Sequence, residues 1–204
     1  MKATEYHTNH IEQVTEKQKI IFQFVLMTIA SIIAGFCFAH LLNAETLNNS
    51  LMANISCFFS DLASGTFSEI FSSYLMLGII DCLWVCLGFI FTFSFINYIV
   101  SDIFLIFSGF KFGINSALIK LIGVHHIGVV NSLSYWILKG CYLVMLTWYL
   151  CKLAFYSADM KRFSSNGRTI LNKNLTISCF LLMLSALGIV FIVNAIYFLI
   201  IYIF

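Results

Sequence analysis

The sequence predicts an all-α, polytopic membrane protein with about five transmembrane helices, and three observations carry that expectation. Sixty-one percent of the 204 residues are hydrophobic and 10% are charged, for a mean hydropathy of +0.96. This lies far outside the range of water-soluble domains. The apolar residues gather in uninterrupted runs, Ile20 to Leu42, Tyr74 to Val100, Val129 to Cys151 and Thr176 to Phe204. Each run exceeds the roughly 20 residues that carry a helix across about 30 Å of hydrocarbon. Most of the basic residues are set in the segments beside these runs, which orients the chain across a bilayer.

Residues 1–19 read as a short polar cytoplasmic tail, with Lys2, Lys17 and Lys19 ahead of the first span. That span, about Ile20 to Leu42, is too long for a signal-peptide core of roughly 7–15 residues and reads as a retained anchor. Residues 20–204 then form one helical membrane domain.

The segment 43–73 contains Glu45, Asp61 and Glu69 but neither lysine nor arginine, which assigns it to the external side. Within it Leu47, Leu51, Ile55, Phe58, Phe59 and Leu62 recur at helical spacing, with Asn48, Asn49, Asn54 and Asp61 between them. This is the pattern of an external amphipathic helix lying on a membrane or on the bundle. Thr66 and Glu69 have the spacing of a capping box, so a second helix is expected to start near Phe67.

Span two runs from about Tyr74 to Asn97, and the residues 97–102, NYIVSD, supply the expected polar turn on the inner side. Span three follows from about Ile103 to Ile122, with GVHHIG as an external turn. Span four, about Val129 to Cys151, returns to the inside. The segment 152–175 carries Lys152, Lys161, Arg162, Arg168 and Lys173 around an Asn166-Gly167 turn and reads as a basic cytoplasmic loop. Span five, Thr176 to Phe204, leaves the C-terminus extracytoplasmic. Omitting span three would put the basic loop outside, so the charge pattern supports it. Whether span three is continuous or a re-entrant hairpin stays open at this stage.

Charges inside the spans are the candidate functional residues. Lys111 is expected near the midplane, where an ionisable side chain costs roughly 2.5–3.5 kcal/mol on insertion scales. Gly109 and Gly113 form a small-residue face on the same helix that admits close helix packing. Lys111 points away from that face, in a polar stripe with Ser108 and Asn115. Lys139 on span four and Asp81 on span two lie at similar depths, so two lysines are expected to share one acid. The surplus positive charge would be lost by deprotonation or would attract an anion, such as a lipid phosphate or a substrate carboxylate. The alternative makes both lysines tie-points of a helix bundle. Asp102 and Lys152 are expected to pair at the inner boundary.

Other chemistry is not motivated. The seven cysteines fall mostly within apolar runs, where a thiol acts as a small hydrophobe, and Cys82 and Cys86 lack ligands at zinc spacing. His40, His125 and His126 read as loop histidines. HExxH, GxSxG and GxxxxGK[ST] are all missing, so neither catalysis, nor a metal, nor a cofactor is expected. A net charge of +2 with dispersed basic residues gives no nucleic-acid surface.

The stretches IIAGFCFAHLLN, ISCFFSDL and LIFSGFKFGINSALI, within residues 18–150, together resemble the stage II sporulation protein M family of bacterial membrane proteins. In that family a KGxxxG stretch follows the second span, matched loosely here by Gly109, Lys111 and Gly113 with the basic residue displaced. The family commonly has proline in its later spans, and this chain has none. The resemblance implies a multi-pass protein of the bacterial cytoplasmic membrane that acts as a non-enzymatic scaffold. In sporulation such a protein anchors peptidoglycan-degrading proteins during engulfment. The implied partners are the lipid bilayer and membrane-associated or extracytoplasmic proteins, cell-wall hydrolases among them, with a homo-oligomer as a further option. The candidate partner surface is then the external apolar face at 47–62 together with the glycine face of span three. The competing expectation is a permease-like transport component with an anionic-ligand or lipid site near Asp81, Lys111 and Lys139.

Overall fold

A chain without proline has no built-in helix breaker, and its apolar stretches form helices that overrun the expected spans at several ends. The computed structural model describes residues 2–41, 67–93, 97–122, 129–165 and 173–203. These form α1 (Lys2–Leu41), α2 (Phe67–Thr92), α3 (Asn97–Ile122), α4 (Val129–Ser165) and α5 (Lys173–Ile203). Segments in α1, α3, α4 and α5 are long and apolar enough to cross a membrane: Thr15–Leu41, Asn97–Lys120, Val129–Asp159 and Asn174–Ile200. In α2 the apolar segment is the shorter Gly78–Thr92. The chain is a helical membrane protein.

Several expected boundaries move. The polar tail is helical and continuous with the first span. The expected turn at 97–102 is instead the start of α3: Asn97 and Ser101 are buried, the Ser101 hydroxyl donates to Asn97 Oδ1 at 3.4 Å, and Tyr98 donates to the Ala154 carbonyl at 3.3 Å. These polar groups face protein rather than water. Span three is one unbroken helix, and Gly109 and Gly113 do not interrupt it. Most of the expected basic loop at 152–175 is a continuation of α4, because Leu153, Ala154 and Ser157 prolong the buried face past Cys151. The external amphipathic helix at 47–62, the GVHHIG turn and the Asn166-Gly167 turn lie outside the described residues.

Contact pairs fix the helix directions. Thr28 and Ser31 of α1 meet Gly109 of α3 while Ile32 and Phe36 meet Gly113, so α1 and α3 are parallel. Asp81 and Val85 of α2 meet Lys139 and Tyr149 of α4, so these two are parallel as well. Phe112 stacks on Tyr135 while Tyr98 reaches Ala154, which sets α3 antiparallel to α4. Lys139 meets Asn194 while Tyr135 meets Tyr197, so α5 is antiparallel to α4. Helix α4 is the hub and touches each of the others. Its Tyr142, Leu146, Tyr149, Leu150 and Leu153, on one helical face, are the centre of the buried core. Apolar side chains such as Phe22, Val144 and Phe191 cover the outside, as a lipid-facing surface requires.

Candidate functional site

The site is built on α3, whose position is fixed by glycine. A Cβ on Gly113 would meet the Ile32 carbonyl oxygen, and one on Gly35 would meet that of Phe110. The backbones of α1 and α3 therefore touch where side chains would normally separate them. Buried hydroxyls close the seam: Ser31 donates to the Thr28 carbonyl at 2.8 Å, and Thr28 lies 3.3 Å from the Thr147 hydroxyl of α4. The glycine face is thus filled within the chain. The helix packing expected at Gly109 and Gly113 is made with α1 of the same chain.

With its glycine side pressed on α1, α3 turns its polar side toward α2, α4 and α5. There Lys139 of α4 donates to Asp81 Oδ2 at 3.0 Å and to Asn194 Oδ1 of α5 at 2.9 Å. The Asn194 amide in turn lies 3.4 Å from Asp81 Oδ2 and donates to the Val190 carbonyl at 3.0 Å. The side chains of Lys139 and Asp81 retain only 16% and 11% of their exposure. At that depth the pair is tied by charge-assisted hydrogen bonds, and removing one partner would strand the other. The Lys139 ammonium also lies 5.6 Å from the centre of the Tyr142 ring.

Beside this cluster is a cavity of about 250 Å³ bounded by α2, α3, α4 and α5. Ser108, Lys111 and Asn115 line its α3 wall, and Asp81 and Lys139 lie opposite. All five sequence-predicted polar residues therefore border one chamber. The expected sharing of Asp81 by two lysines does not occur. Lys139 takes the carboxylate, while Lys111 is exposed and makes no hydrogen bond or ion pair among the described residues. The chamber thus presents two lysines against one aspartate, an excess of one positive charge. Aromatic side chains supply much of the remaining wall. Phe112 and Tyr135 stack at 5.9 Å and Trp84 and Phe107 meet at 5.6 Å. The Tyr142 hydroxyl is buried with no hydrogen-bond partner among the described residues.

Comparison with protein-family models, curated proteins and solved structures finds no match to this chain. The site must therefore be read from its own chemistry.

Other placements differ from expectation. Asp102 accepts from Gln23 of α1 at 2.9 Å rather than from Lys152, which lies over the Trp148 ring on its own helix. Asp102 faces α1, and Lys152 folds back along α4. His40 packs on Phe36, while His125 and His126 lie outside the described residues. The candidate surface at Leu47, Leu51, Ile55, Phe58, Phe59 and Leu62 also lies outside them.

Sequence reasoning missed Asn194. Its signal is an isolated amide inside FIVNAIYF, a place where an unsatisfied polar group would be costly and a partner on another helix is implied. Tyr135 and Tyr142, which also line the chamber, were hidden among ordinary span aromatics.

Proposed function

We propose that the chain is a non-enzymatic, multi-pass component of a bacterial cytoplasmic membrane that holds an anionic ligand in the chamber beside Lys111, as a transport or lipid-handling subunit. The observation that carries this reading is Lys111, unpaired among the described residues and near the middle of a helix long enough to cross a membrane, in a chamber whose one carboxylate among the described lining residues is already engaged by Lys139. A lysine at that depth costs roughly 2.5–3.5 kcal/mol by insertion scales, which an anion can offset. Ser108 and Asn115 stand on the same wall to donate hydrogen bonds to it.

In this reading the five helices cross the bilayer alternately, with the N-terminus cytoplasmic and the C-terminus extracytoplasmic. The alternating helix directions and the basic residues around 152–173 support that arrangement. Scaffolding of the kind implied by the sporulation-family resemblance draws on the 47–62 segment and on the glycine face. The first lies outside the described residues, and the second is filled by α1.

The test is to purify wild type and Lys111→Gln in mild detergent and to identify by mass spectrometry what accompanies each. An anionic small molecule present in wild type and depleted in Lys111→Gln is the expected result. An identical small-molecule load in both, with extracytoplasmic proteins as the retained companions, would replace this reading with scaffolding.

A further inference from the structure

The chamber's shape and wall chemistry restrict what its anion can be. Phe107 and Lys111 are one helical turn apart on α3, and both are exposed while also lining the chamber. They mark its open side. The chamber follows α3 from Phe107 to Ile119, about 18 Å at 1.5 Å per residue. Its two ends differ. Toward the C-terminal half of α3, Asn115 and the Tyr135 hydroxyl stand beyond Lys111. Toward the N-terminal half, where Ser108 adjoins Phe107, Trp84 packs edge-on against Phe104 at 4.6 Å and meets Phe107 at 5.6 Å, so that end is chiefly aromatic. A volume of about 250 Å³ falls at or below the low end of the roughly 300–1,000 Å³ of drug-sized pockets. This leaves room for one chain rather than two.

Resting on the anion-chamber reading, we propose that the occupant is a single-chain anionic amphiphile. Its carboxylate or phosphate head sits against Lys111 and Asn115, and its apolar tail leaves past Trp84 and Phe107 into the bilayer. An anionic head offsets the excess positive charge of the chamber. Lys139 holds the wall together and does not contact the ligand's charge, because Asp81 and Asn194 already occupy it.

The experiment uses the full-length protein in phosphatidylcholine nanodiscs, with empty discs as reference. Dodecanoate and dodecyl phosphate are the probes. Acetate, inorganic phosphate, dodecyltrimethylammonium and phosphatidylglycerol are the competitors. Saturable binding of about one dodecyl probe per chain is expected, weakened at least tenfold in Lys111→Gln and retained in Lys111→Arg. Lys111 makes no tie among the described residues, so Lys111→Gln should stay monodisperse with an unchanged melting temperature, and that control is read on the same sample. Equal binding by wild type and Lys111→Gln, or equal competition by dodecyltrimethylammonium, would overturn the proposal. If acetate or inorganic phosphate competes as well as the dodecyl probes and does so through Lys111, the anion chamber stands and the amphiphile is wrong. If phosphatidylglycerol alone displaces the probe, the single-chain assignment is wrong. If no anion shows Lys111-dependent binding, both readings fall.

Discussion

Gly113 of α3 lies directly against the backbone of Ile32 in α1, so close that any side chain at 113 would drive into the Ile32 carbonyl oxygen. Gly109, one turn earlier, meets chiefly the Ser31 hydroxyl, which can rotate away, although the Thr28 carbonyl stands 3.1 Å from the same point. Backbone cannot yield as a hydroxyl can. Gly113→Ala is therefore expected to cost about 1–3 kcal/mol by overpacking, and Gly109→Ala less. Thermal unfolding in detergent should rank them in that order; an equal or reversed ranking would contradict the backbone contact.

The Asp81–Lys139–Asn194 cluster predicts non-additive behaviour. Asp81→Asn leaves the Lys139 ammonium buried without its counter-charge, a loss of about 3–5 kcal/mol by analogy with other buried pairs. Adding Lys139→Gln removes the stranded charge and should restore part of the stability, giving a coupling energy of at least about 1 kcal/mol in a double-mutant cycle. A double variant as unstable as the sum of the two singles would show that the pair contributes nothing as a pair.

Which parts of this arrangement were legible in the sequence follows from the physics of each. The spans were legible because a bilayer demands long apolar runs, and Asp81, Ser108, Lys111, Asn115 and Lys139 stood out against them as polar groups needing a neighbour. Matching depths and helical phase placed those five around one chamber. What sequence could not decide was the pairing. Lys111 and Lys139 look equivalent as residues, and Asn194, which sets Lys139 on Asp81, comes from a helix more than fifty residues further on. The polar start of α3 misled for a related reason. Asn97 and Ser101 resemble turn residues until the buried surface that receives them is known. The helix at 152–165 was hidden by its basic residues, although Leu153 and Ala154 keep the buried face of α4 in register.

Sidedness gives a third prediction. If the chain crosses five times as proposed, a reporter inserted within residues 166–172 should be cytoplasmic, and one fused after Phe204 should be extracytoplasmic. Finding both reporters on one side would remove α5 as a crossing and invalidate the orientation.

A fourth concerns the two lysines as structural elements. Lys111→Gln is expected to leave unfolding free energy within about 0.5 kcal/mol of wild type, the range of substitutions that break no tie. Lys139→Gln strands Asp81 and is expected to lose about 3–5 kcal/mol. Equal losses would mean that Lys111 has a structural partner after all.

The account stands on one asymmetry: of two lysines bordering the chamber, one is engaged by Asp81 and Asn194 and the other is open to an anion. Time-resolved reductive methylation of the purified protein, read by peptide mass spectrometry, tests it most directly. Lys111 should be modified early and be protected by dodecanoate, whereas Lys139 should remain unmodified until the fold is lost. Modification of Lys139 as fast as Lys111, or a Lys111 that resists the reagent in the absence of any anion, would contradict the central claim.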